Sequence, residues 1–118
     1  TKTAWPCPAL DLLAESWDGA VAYPVAVGVA AAGHGIPLEQ ALHAYLHAVL
    51  ANWVSAGLRL IPLGQTDGQR ITAELMPVAA EIAAATRDLT LDEVGGCALG
   101  ADLAAILHET QYTRLYRT

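Results

Sequence analysis

Between Pro37 and Pro62 the apolar residues Leu38, Leu42, Tyr45, Leu46, Val49, Leu50, Trp53 and Leu58 recur at steps of three and four. That is the period of an α-helix that buries one face, whereas a half-buried strand would need strict alternation. Proline fixes both limits, because it suits the residues just before and at the start of a helix but removes a donor from its interior. The spacing predicts a helix over residues 38–60, the longest in the chain.

The remaining segments obey the same punctuation. "PALDLLAESW" from Pro8 is a short helix, and "YPVAVGVAAAGHG" takes Pro24 into its first turn and stops at the Gly33–Gly35 turn. After Pro62 a further helix is capped by Thr66 or Asp67, turns Leu75, Val78 and Ile82 to its apolar side, and is expected to kink at Pro77. A "TLDEV" turn, a Gly95–Gly96 break and a last helix over about residues 101–109 follow. No stretch alternates over five or more positions, so strands are not expected. About a fifth of the residues are alanine, the best helix former. The expectation is an all-α, bundle-like domain spanning residues 1–118 with an extended C-terminal tail.

Charge narrows the function classes. The 118 residues carry 12 acidic and 6 basic side chains, a formal net charge of −6, which argues against a nucleic-acid groove. Charged residues make up only 15%, low for a small free-standing domain, so part of the surface is expected to be covered by other protein. Residues 19–37 and 40–58 lack Asp, Glu, Lys and Arg, yet glycines and prolines in the first and Gln40, His43, His47, Asn52 and Ser55 in the second make membrane spans poor readings. They read as helices buried in a soluble core. Cys7 and Cys97 lie far apart without a Cys-x-x-Cys pairing, so nothing calls for an oxidising compartment. No secretory pattern opens the chain, which starts without methionine and reads as a fragment.

"RLIPLGQTDGQRI", residues 59–71, is the one polar, glycine-bearing interruption of the alanine- and leucine-rich sequence. It is not a phosphate loop: three residues separate Gly64 from Gly68 where four are needed, Gln69-Arg70 replaces Lys-Ser/Thr, and a helix precedes it instead of a strand. Gly64 serves a turn between helices. The turn does not explain Arg59, Gln65 and Gln69, nor Asn52, Ser55 and Arg59, which fall at helical steps in one polar stripe. This set is read as an ordered corner that braces the core or faces a partner. His43 and His47, four apart, are a weak metal pair without a recognisable third ligand; Cys97 and His108 are further candidates for an ion such as nickel. No Ser-His-Asp, Cys-His or paired-carboxylate set supports an enzyme. Residues 108–118, "HETQYTRLYRT", gather Tyr112, Leu115, Tyr116, Arg114 and Arg117 on an otherwise acidic chain, the composition of a docking segment or of a tail that folds back onto its own chain.

Three stretches, "YPVAVGVAAAGHGIPLEQAL", "ANWVSAGLRLIPLGQTDGQ" and "HETQYTRLYRT", together resemble the C-terminal half of the urease accessory protein UreF family, from Tyr23 onward. The matching positions are Tyr23, Pro24 and Gly28; Asn52, Ser55, Arg59, Pro62, Leu63, Gly64, Gln65 and Gln69; and Asp102, His108, Glu109, Tyr112, Arg114, Leu115 and Arg117. Two departures stand out. UreF proteins are about twice as long, and the residue before the His-Glu pair, usually basic, is Leu107 here. The resemblance implies a non-enzymatic, all-helical cytoplasmic scaffold without a resident cofactor. Such proteins form homodimers, bind UreD (also called UreH) and recruit the GTPase UreG; they regulate its GTP hydrolysis while nickel is delivered to apo-urease. It also implies that the tail, His108, Glu109, Tyr112, Arg114, Leu115, Tyr116 and Arg117, holds UreD. The competing expectations are direct nickel carriage by the His and Cys residues above, and an arginine finger at Arg59 or Arg70.

Overall fold

The computed structural model describes residues 3–112, which form five α-helices and one 3-10 turn, with no strand among them. The helices are α1 (Pro8–Ser16), α2 (Tyr23–Gly33), α3 (Leu38–Leu60), α4 (Gln65–Thr86) and α5 (Leu99–Glu109), with the turn at Leu91–Glu93. The all-α expectation holds, and α3 has the limits that its two prolines set. The chain divides between Asp88 and Leu89 into two compact units, the first holding α1–α4 and the second the 3-10 turn and α5.

Local chemistry accounts for most helix ends. Prolines stand in the first turns of α1 and α2, where their missing N–H costs nothing. At the end of α2 the Gly35 N–H donates to the Ala32 carbonyl (3.0 Å) and the Ile36 N–H to the Ala31 carbonyl (2.9 Å), a Schellman closure. Gly35 reaches it with φ of 70°, a conformation that costs other residues about 1 kcal/mol or more. Two boundaries differ from expectation. Helix α4 is capped by Gly64, not by Thr66 or Asp67, and Asp67 instead sits one turn inside and accepts the Gly64 N–H at 3.1 Å. Helix α5 starts at Leu99 because Asp102 accepts the Ala98 N–H at 3.2 Å in the same way. In both cases a carboxylate in the first helical turn reaches back to an orphan donor, near the positive end of the helix dipole. Pro77 does not interrupt α4, which runs on to Thr86.

In the first unit α3 and α4 form an antiparallel hairpin, α1 lies against α2, and α2 touches α3. The hairpin seam runs on small residues. Ala79 and Ala83 of α4 are 1% and 3% exposed, and Gly68 abuts Leu58 so closely that an added Cβ would lie 2.7 Å from Leu58 Cδ1. Around α1 and α2, Cys7, Leu10 and Ala30 form a second small core with Ala9 and Val29 packed on it. The apolar face expected to be buried is only half-covered: Leu42, Tyr45, Leu46, Val49, Leu50 and Leu58 are half-buried, no residue of α3 is fully buried, and Leu38 and Trp53 are 57% and 68% exposed. Likewise Val78 and Ile82 are more than two-fifths exposed while Ala79 and Ala83 beside them are covered. Close helix approach favours the smallest side chains at the contact line and leaves the bulky ones flanking it. No described helix is long and apolar enough to cross a membrane.

Candidate functional site

The last turns of α3 and the first turns of α4 enclose a half-open cleft of about 430 Å³. Its α3 wall is the row His47, Ala51, Ser55 and Arg59, spaced by four, with Val54 and Leu58 beside it. Its α4 wall is Gln65, Gly68, Gln69 and Thr72. Rows of residues four apart are the ridges by which helices pack, so the spacing itself aligns these side chains along one seam. Gly68 closes the floor: with no Cβ it lets α4 approach Leu58, which draws Gln65 and Gln69 toward Ser55 and Arg59.

The structure thus brings together Ser55, Arg59, Gln65 and Gln69 of the polar set, with the Gly64 cap beside them. It separates Asn52, which lies with Tyr23, Tyr45, Ala48 and Val49 in another depression facing α2. Asn52 and Arg59 are close on a helical wheel but two turns apart along it, about 10 Å, so shared azimuth does not make them neighbours. His47, in sequence terms only a metal candidate, belongs to the cleft, and so does Thr72, which no sequence pattern marks. The four-residue row from His47 to Arg59 was the signal available for the former; for Thr72, pairing of α3 with α4 had to be known first.

Polar chemistry in the cleft is dominated by donors and amides. Among the described residues its lining contains one guanidinium, one imidazole, two carboxamides and two hydroxyls, and no carboxylate. Thr72 bonds back onto its own helix, its hydroxyl donating to the Gly68 carbonyl at 2.9 Å. Asp67, the nearest helix-start acid, is engaged with the Gly64 N–H and lies 3.6 Å from Arg70 Nη1, which accounts for Arg70 as well.

His47 is exposed in the cleft, His43 is half-buried one turn away, Cys97 is an exposed free thiol, and His108 lies in the last turn of α5. Among the described residues no three His, Cys, Asp or Glu side chains are grouped to hold a metal ion. Of the docking segment, His108 and Glu109 end α5 and Tyr112 is fully exposed; Arg114, Leu115, Tyr116 and Arg117 lie outside the described residues. Within its own unit α5 leaves Leu99, Leu103, Ile106 and Leu107 more than half exposed. In the preceding 3-10 turn, Glu93 accepts the Thr90 N–H at 2.9 Å and the Thr90 hydroxyl at 2.8 Å, and these bonds, the backbone one foremost, hold its carboxyl below the ordinary range.

Comparison with known proteins fits this chain to one family. The UreF family model matches residues 1–76. The urease accessory protein UreF of Rhodopseudomonas palustris (strain BisB5) is 51% identical over 117 residues, covering 99% of this chain and 48% of that protein. The protein of the same name from Bradyrhizobium sp. (strain BTAi1 / ATCC BAA-1182) is 53% identical over 117 residues, at 99% and 48% coverage. That of R. palustris (strain TIE-1) reaches 54% over 119 residues, at 99% and 49%. The chain therefore spans about half the length of the curated relatives it matches. The likeness also covers the residues before Tyr23, upstream of the three stretches that carry the resemblance in sequence. No solved structure matches the chain. With the family model over its first 76 residues and relatives about half identical along nearly all of it, this chain belongs to the UreF family.

Proposed function

We propose that the chain acts in urease assembly as a non-enzymatic cytoplasmic scaffold, joining UreD (UreH) and the GTPase UreG on apo-urease and regulating UreG's GTP hydrolysis during nickel insertion. The observation that carries this reading is the identity of about half, over 99% of the chain, to proteins named urease accessory protein UreF. The surface supports it: Trp53, Leu38 and Tyr23 in the first unit, and Leu99, Leu103 and Ile106 in the second, are each more than half exposed. Apolar side chains in such number are covered by further protein, to which the other half of a full-length relative, a homodimer and assembly partners would each contribute. Direct nickel carriage by His43, His47, Cys97 and His108 has less support, since the described residues group no three ligands.

The test is capture of UreD by the tagged chain, with and without truncation after Glu109, followed by GTP turnover of UreG in the mixture. Capture by the full chain, its loss on truncation and an altered turnover are the expected results. If neither form captures UreD, the scaffold reading fails; if both do equally, the tail is not the docking segment.

A further inference from the structure

We propose that an apolar groove between α3 and α4, distinct from the polar cleft, is one side of a helix-bundle core, closed by an apolar helix from the half of the family protein that this chain does not span. This goes beyond the assembly reading and does not depend on it. On α3 the groove is lined by Leu46, Val49, Leu50 and Trp53, and on α4 by Leu75, Val78, Ala79 and Ile82. Each set has the spacing i, i+3, i+4, i+7, the stripe by which a helix faces a core. Two such stripes side by side on paired helices make a trough along their axes, the seat of a further helix. Among the described residues α1 packs on α2 and α2 on α3, and neither α1 nor α2 reaches α4. Trp53, Val78 and Ile82 are accordingly 68%, 47% and 44% exposed, although Ala79 between the helices is covered.

Three observations select the occupant. Among the described residues the lining has no polar side chain, whereas a surface that binds and releases a partner keeps polar groups that suit it to water when free; an all-apolar trough has the character of a domain core cut in two. Its volume, about 140 Å³, is well below the roughly 300 Å³ at which small-molecule sites begin, so it takes side chains from a packed helix. The fully buried apolar residues are Cys7, Leu10, Ala30, Ala31, Ala79 and Ala83, with one large aliphatic side chain among them, a small core for a chain of this length. More core material has a source in the family: relatives about half identical over 99% of this chain are about twice as long. The C-terminal character of the matching stretches makes their other half the N-terminal one. A helix tethered in the same polypeptide meets the groove at an effective concentration of about millimolar, which dilution does not lower.

The test compares this chain alone with the same chain joined behind the N-terminal half of the R. palustris (strain TIE-1) relative. Both are labelled with 5-fluorotryptophan and read by fluorine nuclear magnetic resonance, the Trp53 signal being assigned through Trp53→Phe. A soluble nitroxide is expected to broaden the Trp53 signal of the chain alone and to leave that of the joined protein sharp, at every dilution. Val78→Ala/Ile82→Ala, checked for folding by circular dichroism, lowers the Tm of the joined protein by about 5 °C or more, as truncation inside a core does. The same pair shifts the Tm of the chain alone by less than half as much. An equal nitroxide response in the two proteins, or equal Tm shifts, overturns the proposal. Protection in the chain alone that fades on dilution makes a second copy the occupant, and protection that appears only with added UreD or UreG makes it a partner; either result overturns the proposal as well. Capture of UreD by the joined protein is measured apart, and its failure sinks the scaffold reading while leaving the groove's occupant as assigned.

Discussion

Replacing Gly68 by alanine puts two opposing effects of similar size at one helical position. Alanine is favoured over glycine inside a helix by about 1 kcal/mol, and on an isolated helix this change would stabilise. In this fold the new Cβ would meet Leu58 Cδ1 at 2.7 Å and both Cγ and Cδ2 at 3.2 Å. Turning one methyl aside does not clear the other two atoms, so Leu58 as a whole, or α4, must shift. Overpacking of this kind costs about 1–3 kcal/mol. Leu58 is only half-buried and borders the open cleft, which places the cost near the middle of that range. The expected balance is destabilisation by about 1 kcal/mol, a fall of about 4 °C in Tm for a chain of this size. Combining the change with Leu58→Ala removes the clash and leaves the propensity gain, so Gly68→Ala then stabilises by about 1 kcal/mol. Urea unfolding followed by helical circular dichroism on the four proteins of this double-mutant cycle reads the reversal of sign. If Gly68→Ala stabilises in both backgrounds, α3 and α4 do not touch at this point, and the helix register that forms the cleft is wrong.

Asp67→Asn weakens the bond to the Gly64 N–H and removes a charge from the positive end of the α4 dipole; a loss of about 0.5–1 kcal/mol is expected in the same urea assay. Gly35→Ala forces a side chain into the conformation at φ of 70°, and Tm should fall by an amount equivalent to about 1 kcal/mol. Glu93 has its folded pKa lowered by its bonds to Thr90, so its support of the 3-10 turn is present above the unfolded value of about 4.3 and is lost as pH falls through the depressed folded value. The Thr90 amide resonance should follow that titration with a midpoint below about 4.3, and Glu93→Gln should abolish the dependence; a midpoint at or above the free value would refute the bond.

The helices were legible along the chain, because helix identity rests on local terms: apolar period, proline and glycine placement, and the dearth of alternating segments. Those terms placed α3 at roughly residues 38–60, where it lies, and part of the same stretch carried the family resemblance. They failed at the start of α4, where Thr66 and Asp67 are both good N-caps and only the bond from the Gly64 N–H to Asp67 shows that glycine takes the position. Which apolar residues are covered is a matter of tertiary packing. Helical period identifies an apolar face but not how closely a neighbour approaches it, and here the covered positions are Ala79, Ala83 and Gly68 while Trp53, Val78 and Ile82 stay open. The cleft shows the same division. Ser55, Arg59, Gln65 and Gln69 form a polar set by spacing along the chain, but His47 joins it and Asn52 leaves it because membership depends on which row of α3 faces α4. That choice is made by packing between helices, and no period within a single helix contains it.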